Sequence, residues 1–124
     1  MKKRRMNNNI LEICDEKNNV VLSITEEVLI NGRIRIIFVG ELTNEVAHEF
    51  EDEIMAVLTV CKNIELDMGK VTYIASMALK TLLSIQQLVD DIDDASMLLR
   101  RVSPEVMGVL DETGFSDILQ IEQD

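Results

Sequence analysis

The sequence predicts a mixed α/β domain, one sheet covered by helices, on three observations. Residues 20–40 read as two strands joined by Asn31-Gly32. The rest alternates helical stripes with short apolar runs. Residues 103–115 carry helix punctuation at both ends. A hairpin followed by alternating helices and strands builds one sheet with one core.

"VVLSITEEV" (20–28) is rich in β-branched residues and predicts a strand. Asn31-Gly32 predicts a two-residue hairpin turn, because both turn positions need positive φ. "RIRIIFVG" (33–40) alternates, then becomes continuously apolar, as a strand entering a buried sheet does. Thr43 or Asn44 can cap the next helix, with Glu45 near its positive end. Val46, Ala47, Phe50, Ile54, Val57, Leu58 and Cys61 recur at helical spacing, which predicts an amphipathic helix over 44–61. "NIELDM" (63–68) predicts a buried strand and Gly69-Lys70 a turn. A short apolar connection then leads to Ser76 and a helix over 77–89 that is apolar on more than one side. "ASMLLRR" (95–101) predicts another strand. In "SPEVMGVLDETGF" (103–115), Ser103 is the N-cap, Pro104 fits the first helical position and Gly114 the C′ position. The helix over 104–113 is followed by "ILQIE" (118–122), a last strand or short edge.

With 124 residues the chain is long enough for one domain with a real core, and 47% hydrophobic content supports one. Three Phe, one Tyr and no Trp make that core aliphatic. The net charge of −11 is uneven: "MKKRR" holds four of the twelve basic residues, leaving eight against 23 acidic ones, or −15, over residues 6–124. Such a body repels phosphate backbones and anionic membranes, which argues against direct nucleic-acid binding. It suits a partner with a basic or apolar docking face. Residues 1–9, "MKKRRMNNN", are expected to be a basic and polar disordered tail, with the domain over 10–124. No apolar run follows those charges as in a signal peptide, and none approaches the ~18 residues of a membrane span. Cys14 and Cys61 have neither metal-site spacing nor a disulfide framework, the pattern of a reduced cytoplasmic protein.

Catalytic chemistry is thin. His48, the single histidine, lies on the polar side of an acidic helix and reads as a solvated residue. The five glycines are isolated, so no phosphate-cradling loop is formed. The run Glu49–Glu53 lacks the pattern of a calcium loop, and "DDIDD" (90–94) reads as a solvated turn that needs no metal. No cofactor, metal or enzymatic activity is expected.

Three stretches stand in a telling order: "GEL" at 40–42, "IELDMGKVTYIASMALKTLL" at 64–83 and "VSPEVMGVLDETGFSDILQI" at 102–121. With the hairpin before them, the chain resembles the STAS domain family, and within it the bacterial anti-sigma factor antagonists. The resemblance covers residues 20–122. In that family the loop before the central helix usually reads Asp-Ser-Ser/Thr-Gly, and its first serine accepts phosphate. Aligned on Ile74 and Leu79, that serine falls on Ser76. Ala75 replaces the acidic residue, Met77 the second hydroxyl residue and Ala78 the glycine, while Thr43 stands where an aspartate is common. The departures bear on function rather than fold.

Two roles for Ser76 stay open on the sequence. As an N-cap it would contribute about 1 kcal/mol. As a phosphate acceptor it would gain about −1.5 to −2 charge at a helix N-terminus, which accommodates anions. The resemblance implies a partner-switching module that captures an anti-sigma factor, itself a serine kinase, is phosphorylated at Ser76 and is reset by a serine phosphatase. The partner surface is expected around Ala75, Ser76, Met77 and Lys80, with Thr43 and Asn44 nearby. The alternative is a STAS subunit without phosphorylation, serving a larger assembly such as a lipid-transport or stress complex.

Overall fold

The computed structural model describes residues 1–7 and 9–123. Seven strands form one sheet in sequence order: β1 (Lys2–Asn7), β2 (Ile10–Cys14), β3 (Val20–Val28), β4 (Ile34–Leu42), β5 (Asn63–Ile74), β6 (Ser96–Arg100) and β7 (Ile121–Glu122). β1 to β4 pair antiparallel, while β5, β6 and β7 continue parallel to β4. The crossovers are α1 (Ala47–Leu58), α2 (Ser76–Asp90) and α3 (Pro104–Thr113). The mixed α/β architecture expected from the periodicity is present.

Strand alternation divides the sheet into two faces. Leu22, Ile24, Ile36, Phe38, Ile64, Leu66, Met97 and Leu99 are buried in one core with Phe50 and Ile54 of α1 and Leu82 and Ile85 of α2. Phe38 and Phe50 meet edge to face, 5.0 Å between centroids, fixing α1 over β4. The opposite face carries Arg35, Ile37, Val39, Glu65, Asp67 and Arg100, laced by Arg35–Glu65 at 3.2 Å and Arg100–Glu122 at 3.4 Å. Glu65 is buried there because arginines flank it from both neighbouring strands.

Several local expectations are corrected. Five residues separate β3 from β4, and the hydrogen-bonded pair Leu29 and Arg33 narrows the turn to a three-residue tip, Ile30–Gly32, rather than two. Gly32 donates to the Leu29 carbonyl at 3.0 Å and alone takes positive φ (+87°), while Leu29 N–H donates to Arg33 O. This is a turn closed by a glycine bulge, so Asn31 needs no left-handed backbone. Gly69-Lys70 is not a turn: β5 runs on to Ile74 through a bulge, where the register passes from Ile37↔Asp67 to Val39↔Lys70. A Cβ on Gly69 would lie 3.1 Å from the Arg101 carbonyl oxygen, so the glycine answers crowding from the next strand. Residues 115–117 form a 3₁₀ turn, which shortens the last strand to Ile121–Glu122.

The expected tail is the largest difference. Residues 2–7 form the edge strand β1 on β2, a strand whose short Leu11-Glu12-Ile13 alternation places Leu11 and Ile13 in the core. β1 buries no side chain, so its hydrophobic pattern is silent. Backbone pairing and charge hold it: Arg4–Glu12 at 2.6 Å, Arg5–Glu53 at 2.8 Å and Lys3–Asp52 at 3.9 Å. Lysine and arginine also guard the open edge against further pairing.

Candidate functional site at the start of the central helix

The site lies where β5 becomes α2. Ala75 leaves the strand with extended backbone (φ −89°, ψ 164°) and its N–H donates to the Leu42 carbonyl at 2.8 Å. Ala75 is therefore the N-cap residue, and a methyl group cannot accept a hydrogen bond from the first turn. Asn44, across the site, supplies what Ala75 lacks. Its Oδ1 accepts from the Met77 N–H at 3.2 Å. Ser76 is the first helical residue, exposed, and its hydroxyl makes no hydrogen bond among the described residues. The capping role for Ser76 is thus corrected: the helix begins one residue earlier than expected, and its cap comes from another element.

Met77 is 53% exposed and Tyr73 51% exposed, while Ala75 and Ala78 are buried. Lys80 is exposed, four residues from Ser76 and so on the same side of the helix. Tyr73 escaped the sequence reading because its neighbours Val71 and Ile74 made 71–75 look like a buried connector. Its strand position, paired with Glu41, is what turns it outward.

Thr43 caps nothing with its side chain, and its buried Oγ1 has no hydrogen-bond partner among the described residues. It lines a hollow of about 620 Å³ with Asp15, Glu16, Glu41 and Glu45. The Asn19 backbone N–H, ahead of the Lys17 N–H, holds the Asp15 carboxyl below its ordinary range. Thr43 therefore belongs to an acidic hollow and Asn44 to the start of α2, though the two are adjacent in sequence. Gly40 makes the strand end possible: at φ +126° its Cβ would meet the Val21 carbonyl oxygen at 2.2 Å.

Elsewhere, Ser103 accepts from Val106 N–H and donates to the Val71 carbonyl at 2.6 Å, so its hydroxyl is fully engaged. Gly114 takes the left-handed position that ends α3 (φ +79°). His48 is exposed and pairs with Asp52 at 3.2 Å. Among the described residues no group of three or more His, Cys, Asp or Glu is placed to hold a metal ion, and no helix is long and apolar enough to cross a membrane.

A sheet with sequential parallel crossovers and an exposed serine opening its central helix defines a small mixed α/β domain. The STAS domain profile matches residues 3–124, and the chain belongs to that family. No relative is detected among curated proteins. Among solved structures, an anti-sigma factor antagonist from Mycobacterium paratuberculosis superposes with a TM-score of 0.71 at 16% identity, covering 88% of this chain and 89% of that one. The anti-sigma factor antagonist SpoIIAA in its unphosphorylated form gives 0.68 at 14% identity, covering 82% and 87%. The Bacillus cell fate determinant SpoIIAA in the phosphorylated form gives 0.63 at 14% identity, covering 82% and 90%. At such identities the likeness is one of fold.

Proposed function

We propose that this chain is a cytoplasmic, non-catalytic switch of the anti-sigma factor antagonist kind. The unphosphorylated domain captures an anti-sigma factor serine kinase on the surface formed by Ser76, Met77 and Lys80, with Ala75 beneath and Asn44 beside it, while Thr43 in the neighbouring acidic hollow lies at its margin. The kinase then phosphorylates Ser76, the complex dissociates, and a serine phosphatase restores the free hydroxyl. One observation carries the reading: Ser76 is exposed at the first helical position while Asn44 does the capping. The hydroxyl has no structural task in this fold, and exposed Met77 beside it is a flexible apolar anchor of the kind that protein contacts use. Phosphate at that point meets helix amides and dipole, so the fold tolerates it. The apolar contact does not, because the new charge must be desolvated there.

The test is incubation with ATP and the serine kinase encoded nearest this chain's gene, followed by mass spectrometry and binding assays of both forms. One phosphate on Ser76 and an affinity loss of about tenfold or more, about 1.4 kcal/mol, are expected. No modification, with Ser76→Asp binding as tightly as the wild type, would instead assign the chain to a structural role in a larger assembly.

A further inference from the structure

On the helix-free face of the sheet, Ile37 and Val39 of β4, Asp67 and Lys70 of β5, and Arg101 just after β6 line a hollow of about 200 Å³. We propose that this hollow binds a small phosphate monoester carrying a free hydroxyl group. The proposal is independent of the partner surface at α2.

The backbone is built to bring these groups together. In an unbroken strand, Asp67 and Lys70 would point to opposite faces, being three residues apart. The bulge at Met68-Gly69 adds one residue, so Asp67 pairs with Ile37 and Lys70 with Val39, two positions on one face. Arg101 holds φ +55°, a left-handed conformation that arginine seldom adopts. Among the described residues the two other non-glycine residues with positive φ are Asn18 and Asp94, residue types suited to it. Gly69 is required for the same approach, since a Cβ there would crowd both the Arg101 carbonyl oxygen and Asp67 Oδ1. The bulge also turns both Met68 and Val71 into the core, so packing accounts for the bulge, whereas the left-handed backbone of Arg101 is not explained by a core contact of its own side chain. Strained backbone of this kind concentrates at binding sites.

The side chains fit the ligand class. Arg101 Nη1 stands 3.7 Å from Asp67 Oδ2, too far for a hydrogen bond, so its fork of donors is not consumed. Lys70 is exposed and has no ion-pair partner among the described residues. A guanidinium fork beside an ammonium is a phosphate-binding pair. Asp67 already accepts from Gly69 N–H through Oδ1 at 3.0 Å, which leaves Oδ2 to accept from a ligand hydroxyl. Ile37 and the exposed Val39 offer an apolar wall for a short carbon skeleton. A bare Arg101–Asp67 surface pair would by itself be worth little.

The test is a ¹⁵N NMR titration of the full chain with glycerol 3-phosphate, inorganic phosphate and glycerol at matched ionic strength. Saturable shifts of the Gly69, Lys70 and Arg101 amides with glycerol 3-phosphate are expected, weakened about tenfold or more in Lys70→Gln and in Arg101→Gly. Arg101→Gly relieves the left-handed strain, so its thermal midpoint should not fall and lost binding cannot be ascribed to unfolding. Glycerol should shift nothing. The absence of saturable shifts, unchanged affinity in both variants, or shifts centred on residues 76–78 would overturn the site. Inorganic phosphate binding as tightly as glycerol 3-phosphate would overturn the assignment of a monoester.

Discussion

At Gly40 two independent constraints coincide, a φ of +126° and a neighbouring carbonyl oxygen 2.2 Å from any added Cβ. Gly40→Ala must therefore push β4 off β3 as well as strain its own backbone, and should lose about 3 kcal/mol or more. Urea denaturation reads this directly, and an unchanged midpoint would contradict the close approach. The serines are separated by the same reasoning. Ser103 both caps α3 and ties it to β5 through the Val71 carbonyl, so Ser103→Ala should cost about 1–2 kcal/mol. Asn44→Ala removes the acceptor for Met77 N–H and should cost about 1 kcal/mol. Ser76→Ala should stay within about 0.5 kcal/mol of the wild type. If Ser76→Ala matched Ser103→Ala in urea, the hydroxyl would have a structural task and the switch reading would lose its support.

Among the elements, β1 departs furthest from the sequence reading, and beyond its backbone pairing with β2 its side-chain attachment is electrostatic. Arg5 reaches Glu53, which is nearly buried and lies against Glu26. Burial first, then the hydrogen bond and charge of Glu53, raise the Glu26 carboxyl above its ordinary range, and Arg5 pulls it back. A raised acid binds more protons folded than unfolded, so stability falls as pH rises from the ordinary glutamate value through the raised one. Arg5→Ala should steepen that fall and loosen β1. Thermal midpoints across this window check it, and an Arg5→Ala midpoint that rises with pH relative to wild type would refute the coupling. The three helices were legible because each has an apolar stripe or unambiguous punctuation, as in Ser103-Pro104 and Gly114. β1 was not, since a strand that buries no side chain leaves no alternation to read. The cap of α2 was illegible for another reason: Asn44 lies 33 residues from Met77, and local spacing cannot show a cap delivered from a different element. Ser76, Met77 and Lys80 were found through the family motif; Tyr73 and the Asp67–Lys70–Arg101 hollow needed strand register.

For the molecule as a whole, charge is the dominant unbalanced quantity, 23 acidic side chains against 12 basic ones. Attraction and repulsion in this fold act over different distances. The favourable pairs are contacts, such as Arg4–Glu12 at 2.6 Å and Arg35–Glu65 at 3.2 Å, and the latter is sheltered within the sheet face. The excess acids are spread over α1, the 90–94 turn and the hollow around Thr43, so much of their repulsion acts across longer distances. Salt screens the second more than the first: the Debye length falls from about 30 Å at ~0.01 M to about 8 Å at ~0.15 M. Exposed contact pairs contribute at most about 1 kcal/mol each, so their weakening is limited. Adding sodium chloride over this range should therefore raise the thermal midpoint, because relief of self-repulsion outweighs the loss at the pairs. Differential scanning calorimetry at fixed pH measures the balance. A midpoint that drops with salt would mean that the ion pairs on β1 and the sheet face, rather than the compactness of an over-charged body, set the stability of the molecule.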